Sequence, residues 1–366
     1  MKGTVKLIQT NNNRHLLELP RQLELRLIWH TSIGGGRLKG AATHNLDFSD
    51  IHSIKALNAA WRKFSRCKKS RVDVADYQKR LVKNINELHS SLMFDKYEHG
   101  SYQPFIVNDP KRRQIHKATV CDRLVHQAIV TAVEPLFEKR FIHDSYSCRI
   151  GKGTHAGVER LRLFLRKASR NNSRKVYVLK SDVRQFFASI DHEILTKLLE
   201  SKLDNEPTLR LLKTIIDSHC TDTGKGIPLG NVTSQLFANV YLHELDWFMK
   251  QTLGVKYYLR YCDDFVVVSD DRVYLQSLIE PIREFLDSNL KLELHPNKVS
   301  VRSWDQGIDF LGYVSRPHAI LLRTKTKRRT LTRVTEKNIS SYLGICSHAD
   351  EYRLSQLVVL IAWQKE

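Results

Sequence analysis

KYYLRYCDDFVVVS, residues 256–269, is the stretch from which the rest of the chain is best read. On both sides of Cys262-Asp263-Asp264 the residues are aromatic, aliphatic or β-branched, which predicts two strands joined by a tight acidic turn. Two adjacent carboxylates at such a tip repel each other unless a cation lies between them. Hard divalent ions such as magnesium prefer carboxylate oxygen and keep positions open for phosphate. An Asp-Asp turn open to water is the plain alternative, and the dipeptide alone does not decide between them. Upstream, YVLKSD at 177–182 is a second apolar strand, and it ends in Asp182. A lone Asp there would ordinarily cap a helix. With Asp263 and Asp264 it supplies a third carboxylate from a neighbouring strand, which is the donor set of a two-metal site.

The bulk composition fits that chemistry. Lys and Arg number 59 against 39 acidic residues in a chain of 366, a formal net charge of +20. Such an excess suits a partner with dense negative charge, and phosphate backbones are the commonest; a surface kept basic for solubility is the alternative. The apolar fraction of 42% is enough for a core, and the length suits one large enzyme with subdomains or two to three domains. Six cysteines are scattered without a CxxC spacing, so neither a zinc site nor a redox pair is indicated, and reduced cytosolic thiols are expected. MKGTVKLIQTNNNRH at the start has no long apolar core, and LVVLIAW at 357–363 is too short to span a bilayer. A soluble, cytoplasmic protein without a membrane partner is expected.

Along the chain, Gly34 to Gly36 mark a loop, since no GK[ST] follows to make a phosphate cradle. Two amphipathic stretches, IKALNAAWRKF and DYQKRLVKNINELHSSL, predict helices between about 53 and 94. The basic run between them is either a solvated face or a nucleic-acid contact. Residues 103–118 read as a hairpin turning at Asn108-Asp109-Pro110, followed by a helix from about 121 to 140. SYSCRIGKGTHAG opens a helix over 154–170, another starts near Asp191, and 193–219 are mostly helical. GKGIPLGNVTSQ is a loop before a long helix from about 234 to 251. A helix over 273–289, strand-like pieces at 291–294, 299–303 and 308–315, and a helical tail from 330 complete an α+β pattern.

These motifs together resemble the reverse transcriptases. YCDD is similar to their YxDD box, DVRQFFASIDH (182–192) to their first palm motif, and GIPLGNVTSQ (226–235) to their second. HPNK (295–298) and FLGY (310–313) resemble later palm motifs, in the same order, and the likeness covers roughly residues 50–350. It implies a right-hand polymerase fold with fingers, an antiparallel palm sheet backed by helices, and a short helical thumb. The implied boundaries are an N-terminal extension (1–50), fingers with N-terminal helices (51–175), first palm part (176–204), fingers insertion (205–228), second palm part (229–315) and thumb (316–366). It also implies RNA-directed DNA synthesis with template RNA, a primer or cDNA strand and dNTPs as partners.

Residue by residue, Asp182, Asp263 and Asp264 match the acids that hold two Mg2+ ions, with Mn2+ as a possible substitute, and the carbonyl of Val183 would add an oxygen. One ion would lower the pKa of the primer 3′-hydroxyl, the other would hold the triphosphate and leaving pyrophosphate. Arg113 matches the fingers arginine that clamps the triphosphate, helped by Lys111 and Arg112. Phe187 matches the steric gate under the sugar, with one of Phe186 and Phe187 facing the core. Lys298 matches a lysine that protonates pyrophosphate, a surface lysine being the alternative. Gly312 would lie near the primer strand. Arg149 and Lys152, with Gly151 and Gly153, would approach the template. Lys325, Lys327, Arg328 and Arg329 would hold the duplex backbone.

Within the second palm motif, retroviral enzymes carry Gln-Gly where this chain has Leu229-Gly230, and a leucine cannot make that glutamine's hydrogen bond. LGNVTSQ, with Ser234 and Gln235, is similar to the (I/L)GNxTSQ signature of diversity-generating retroelement reverse transcriptases; FIHDSYSCRIGKGTHA and SYLGICSHADEYRL also resemble that family. The resemblance implies error-prone copying opposite template adenines and a small basic accessory variability determinant protein as partner. Leu229 and Arg113 are then the residues that set low fidelity. Reverse transcriptases of antiviral defence carry much the same boxes, retron enzymes are similarly compact, and a non-catalytic RNA-binding scaffold is the reading from another class. Group II intron enzymes fit less well, because no maturase or endonuclease region is seen after the thumb.

Overall fold

The computed structural model describes residues 46–108 and 111–364. The Gly34 to Gly36 loop, most of the N-terminal extension and the Asp109-Pro110 turn lie outside them. The described residues open with helices α1 (Ser49–His52), α2 (Ile54–Ser65), α3 (Val72–Lys79) and α4 (Leu81–Met93). Ser53 caps α2 by accepting from the Ala56 amide. The second amphipathic stretch is thus two helices, not one: Arg80 leaves helical geometry at ψ 29°. There Asn84 Nδ2 takes over the Tyr77 carbonyl at 3.0 Å. The hairpin follows as β1 (Gln103–Val107) and β2 (Arg113–Lys117), antiparallel, with Val107 opposite Arg113. Helix α5 (Val120–Glu138), capped by Thr119, packs against α1 and α2.

Helix α6 (Thr154–Ala168) leads into β3 (Tyr177–Asp182). A one-turn α7 (Phe186–Ser189), not foreseen from the sequence, precedes α8 (His192–Glu200), whose cap is Asp191, and α9 (Glu206–Asp217). The long helix α10 (Val232–Trp247) runs on into a π-turn at Phe248–Thr252. The strand pair β4 (Tyr258–Tyr261) and β5 (Asp264–Ser269) then forms around the acidic turn. After it the anticipated single helix is divided at Leu278 into α11 (Arg272–Ser277) and α12 (Ile279–Leu290).

Strand β6 (Ser300–Ser303) completes a four-stranded antiparallel sheet in the order β4-β5-β3-β6. Side chains alternate across it. Val178, Leu259, Val266 and Val268 form one core cluster with Leu161, Phe164 and Leu165 of α6. Leu179, Val267, Phe265 and Tyr258, in the intervening positions, are buried too. Cover on both faces is why the strand reads as the unbroken run FVVV and not as an alternating one.

The chain finishes with β7 (Ile308–Phe310), β8 (Tyr313–Ser315) and β9 (Ile320–Leu322) as a second antiparallel sheet, then α13 (Thr324–Arg333), α14 (Ile339–Cys346) and α15 (Tyr352–Gln364). The expected strand at 291–294 is a single bridge, Leu294 to Val183, and the piece at 308–315 is two strands. Leu311 and Gly312, at φ 51° and 92°, turn the chain between them. The helical tail starts at Thr324, ahead of the expected 330. This mixture of helices and antiparallel sheet is the right-hand polymerase class. Among the described residues no helix is long and apolar enough to cross a membrane.

Asp73 of α3 ties the hairpin to the helices, meeting Lys117 Nζ at 2.7 Å and the Arg123 guanidinium. Burial raises its pKa, but hydrogen bonds and charge from Lys117 and Arg123 outweigh that and bring it down to about 2. A depressed carboxylate contributes stability above its unfolded pKa of about 3.9 and loses it as pH falls through the folded value. Asp73→Asn is therefore expected to lower unfolding free energy at pH 7 by about 1 kcal/mol or less, since the pair is partly solvated. In denaturant titrations the deficit should shrink steadily from pH 4 towards pH 2.

Candidate active site

The site is set by strand register. Asp182, last in β3, pairs directly with Asp264, first in β5. Asp263 sits beside them in the two-residue turn between β4 and β5, because Tyr261 pairs with Asp264. Cys262 takes a left-handed φ of 54°, a conformation that costs a non-glycine residue about 1 kcal/mol or more. Val183 continues from β3, its amide donating to the Asp263 carbonyl at 3.3 Å. The Asp182 carbonyl accepts from the His295 amide at 2.8 Å, so HPNK is stitched to the first palm motif.

Electrostatics at this corner are unfavourable without a cation. Burial, then repulsion from Asp182, raises the Asp263 pKa. Burial also pushes Asp264 up to about 6, with Lys180 opposing it and the other two aspartates reinforcing it. Asp182 and Asp264 face each other as register partners, so two carboxylates are held side by side. Lys298 Nζ bridges both oxygens of Asp182 at 2.9 and 2.8 Å. Among the described residues no three His, Cys, Asp or Glu side chains form a ready-made metal cage. The donor set nonetheless suits magnesium, which is held by one or two carboxylates and completes its shell with water and substrate phosphate. The Lys298 ammonium supplies positive charge beside Asp182, at a corner where divalent charge would be favoured.

The other expected residues fall into groups. Phe186 is buried and Phe187 half-buried, with ring centroids 5.4 Å apart. The Phe187 carbonyl accepts from the Ile227 amide at 2.8 Å, placing α7 beside the second palm motif. Lys111, Arg112 and Arg113 are exposed on the hairpin. The hairpin stands on the second motif through backbone: the His116 amide donates to the Leu229 carbonyl at 3.0 Å, and Asn231 Nδ2 to the His116 carbonyl at 3.2 Å. Gly230, at φ 107°, has no room for a side chain, since a Cβ would lie 2.6 Å from Ile115 Cγ2. Ser234 Oγ donates to the Pro228 carbonyl at 2.6 Å and so fixes the Pro-Leu-Gly bend. Gln235 is exposed and borders a cavity of about 160 Å3 with Gln127 and Glu134.

A larger cavity, about 440 Å3, is lined by Lys152, Gly153, Thr154, Gly312, Thr326 and Arg329 among others, so these basic and glycine positions do converge. Lys325 and Arg328 are exposed on α13, whereas Lys327 pairs with Glu351. Lys152 Nζ donates to the His143 carbonyl at 2.9 Å and lies over the Tyr146 ring. Arg149 is a correction. Its guanidinium forks onto Glu138 and donates to the carbonyls of Ile142 and Ser145, and its side chain is only 5% exposed. With its donors spent inside the protein, it holds the loop and does not reach for a phosphate.

Sequence reasoning missed Arg260, Asp246, Asn239 and Ser145, which form a buried network directly behind the acidic turn. A signal was present: an arginine inside a strand that is otherwise apolar must find a partner.

A family model described as reverse transcriptase (RNA-dependent DNA polymerase) matches residues 107–315. Protein YkfC of Escherichia coli (strain K12) is 25% identical over 267 residues, covering 61% of this chain and 70% of that protein. Group II intron-encoded protein LtrA of Lactococcus lactis subsp. cremoris is 23% identical over 295 residues, covering 61% and 48%. The chain thus spans about half the length of the second relative. Among solved structures, telomerase from Candida albicans with a TWJ fragment of telomeric RNA aligns at a TM-score of 0.48 and 12% identity, covering 72% of this chain and 53% of that one. Telomerase from Candida tropicalis in the corresponding complex aligns at 0.46 and 14%, covering 76% and 56%.

The contact between Gly230 and Ile115 yields a test of this geometry. Gly230→Ala is expected to cost about 1–3 kcal/mol of unfolding free energy, from positive φ and the clash together. Adding Ile115→Ala should recover only the part due to the clash, so the double variant loses less than the two single losses combined. Denaturant unfolding of the three variants measures this.

Proposed function

This chain belongs to the reverse transcriptase (RNA-dependent DNA polymerase) family, and from that premise we propose that it makes cDNA on an RNA template by two-metal nucleotidyl transfer. The observation that carries the reading is the register that sets Asp182 against Asp264 with Asp263 on the adjoining turn. These acids, with the Val183 carbonyl, would hold two Mg2+ ions, or Mn2+ in their place. When bound, the ions lower the pKa of the primer 3′-hydroxyl and neutralise charge on the triphosphate. Lys298, which contacts both oxygens of Asp182, would give a proton to departing pyrophosphate.

Arg113, with Lys111 and Arg112 beside it, meets the triphosphate from the exposed hairpin, where a planar fork suits phosphate oxygens. Phe187 excludes a 2′-hydroxyl, Leu229 and Gly230 form the floor under the base pair, and Gln235 faces the nucleotide side. Lys152, Gly312 and Arg329 around the larger cavity, with Lys325 and Arg328 on α13, take the template and primer backbones. Lys327 would join them by exchanging Glu351 for a phosphate. In this reading residues 51–175 and 205–228 are fingers, 176–204 and 229–315 palm, and 316–366 thumb, with 1–50 as an extension.

The finer reading is an error-prone enzyme of a diversity-generating retroelement. It would work with a small basic accessory variability determinant in the cytoplasm. Its support is the LGNVTSQ loop, in which Leu229 removes a polar contact to the nucleotide and Ser234 braces the bend. The likeness to a group II intron-encoded protein favours a second reading, a reverse transcriptase of that kind without the adenine-directed errors.

Primer extension on a defined RNA with Mg2+, followed by sequencing of the cDNA, separates these. Errors concentrated opposite adenine support the first, and accurate copying the second. Asp263→Ala should abolish synthesis and leave RNA binding intact; persisting synthesis would overturn the site. Phe187→Ala should raise ribonucleotide incorporation relative to deoxynucleotide by about 10- to 100-fold, the scale of discrimination that one steric contact supplies.

A further inference from the structure

Arg260 lies directly behind the acidic turn, and all of its guanidinium nitrogens are engaged inside the protein. It stands in β4, two residues before Cys262, with its side chain fully buried. Nε and Nη2 fork onto the two oxygens of Asp246 in α10 at 2.8 and 2.7 Å. Nη2 also donates to Ser145 Oγ at 3.1 Å, and Nη1 to Asn239 Oδ1 at 3.4 Å. The remaining Nη1 bond, 3.1 Å, goes to the carbonyl of Cys262. That carbonyl belongs to the left-handed residue on which the acidic turn pivots. Tyr258 adds its hydroxyl to Asp246 at 2.7 Å, and Asn239 Nδ2 holds the Ser147 carbonyl at 3.0 Å. The backbone joins in: the Arg260 amide donates to the Asp144 carbonyl, and the Tyr146 amide to the Arg260 carbonyl, both at 2.9 Å.

A buried ion pair alone is weak support for stability, because desolvation offsets most of the attraction. This one does something an apolar pair of equal volume could not, since it donates a charged hydrogen bond to a strained turn. Charge-assisted bonds are about twice as strong as neutral ones. Left without it, the Cys262 carbonyl would be free to rotate, and Asp263 is covalently attached to it. We propose that Arg260 is a positioning residue: braced by Asp246, it fixes the angle at which the turn presents Asp263 and Asp264 to the metal ions. The same guanidinium locks the 144–147 loop to the turn, so both move as one body. The inference rests on the proposed two-metal site.

The test uses the full chain and Mn2+ as probe, its binding read by electron paramagnetic resonance without substrate, beside kcat and KM for dNTP and thermal melting. Arg260→Lys keeps the charge and loses the fork. It should weaken Mn2+ binding and lower kcat about 10- to 100-fold, the usual cost of losing a group that orients a metal ligand, with KM less affected. Arg160→Lys is the comparator. It loosens the other ion pair to this loop, Arg160 to Asp144, without touching the turn, and should leave Mn2+ binding unchanged. Wild-type Mn2+ affinity and kcat in Arg260→Lys, or equal losses in both variants, overturn the proposal. If Arg260→Lys does not fold, Asp246→Asn is read instead by the same criteria. Failure of the wild type to bind Mn2+, or binding unmoved by Asp263→Ala, would sink the metal site itself and is distinguishable from these outcomes.

Discussion

Repulsion among Asp182, Asp263 and Asp264 is the constraint on which the rest of the structure depends. Two like charges at about 4 Å oppose each other by several kcal/mol at a protein-surface dielectric. A third carboxylate in the same partly buried corner adds to that. No protein keeps such a cluster for stability, so the surroundings must hold it together. The sheet does so by register, since β3 and β5 are locked along six pairs that end at Asp182 and Asp264. Lys298 does so by charge, and Arg260 by gripping the turn from behind.

The basic surface is arranged on the same plan. The net charge of +20 would be a liability for a chain with no anionic partner, because self-repulsion loosens a compact state. Part of it is neutralised internally, as in the Arg149 fork to Glu138 and the Asp73 contacts to Lys117 and Arg123. Helix α13 carries TKTKRRTLTR without one acidic residue; Lys327 pairs with Glu351, while Lys325 and Arg328 stand exposed. Backbone phosphates would balance those exposed charges and release counterions, which would make binding salt-dependent.

The parts of the fold that were legible in the sequence are those where one physical rule dominates. The sheet strands announce themselves because burial on both faces forces unbroken apolar runs, and α8 because Asp191 caps it. The break at Arg80 was hidden, since neither proline nor glycine marks it, whereas the one at Leu278 had a signal in Pro281, which cannot donate to the Ser277 carbonyl one turn back. Strand β9 was hidden by its length of three residues. In the site, three carboxylates could be named from strand ends and spacing. Arg149 could not be told from a phosphate ligand, because composition does not show whether a guanidinium's donors are already taken. Arg260 could have been flagged as buried, but not its hold on Cys262, which exists only once α10 and the 144–147 loop have folded around it.

Substitutions at the second palm motif would act through the hairpin as well as locally. Leu229 is tied to the hairpin, because its carbonyl is bonded to the β2 backbone at His116 and Gly230 abuts Ile115. Arg113 begins the same strand, three residues before His116, a reach of about 10 Å along a stiff extended backbone. A strand transmits displacement along its axis far better than a loop would. A side chain at 229 that shifts its own carbonyl therefore shifts the foot of β2, and with it the guanidinium proposed to hold the triphosphate. Fidelity and triphosphate affinity would then be governed by one mechanical element instead of two separate contacts. Asn231, buried and bonded to the His116 carbonyl, adds a second tie between the loop and β2.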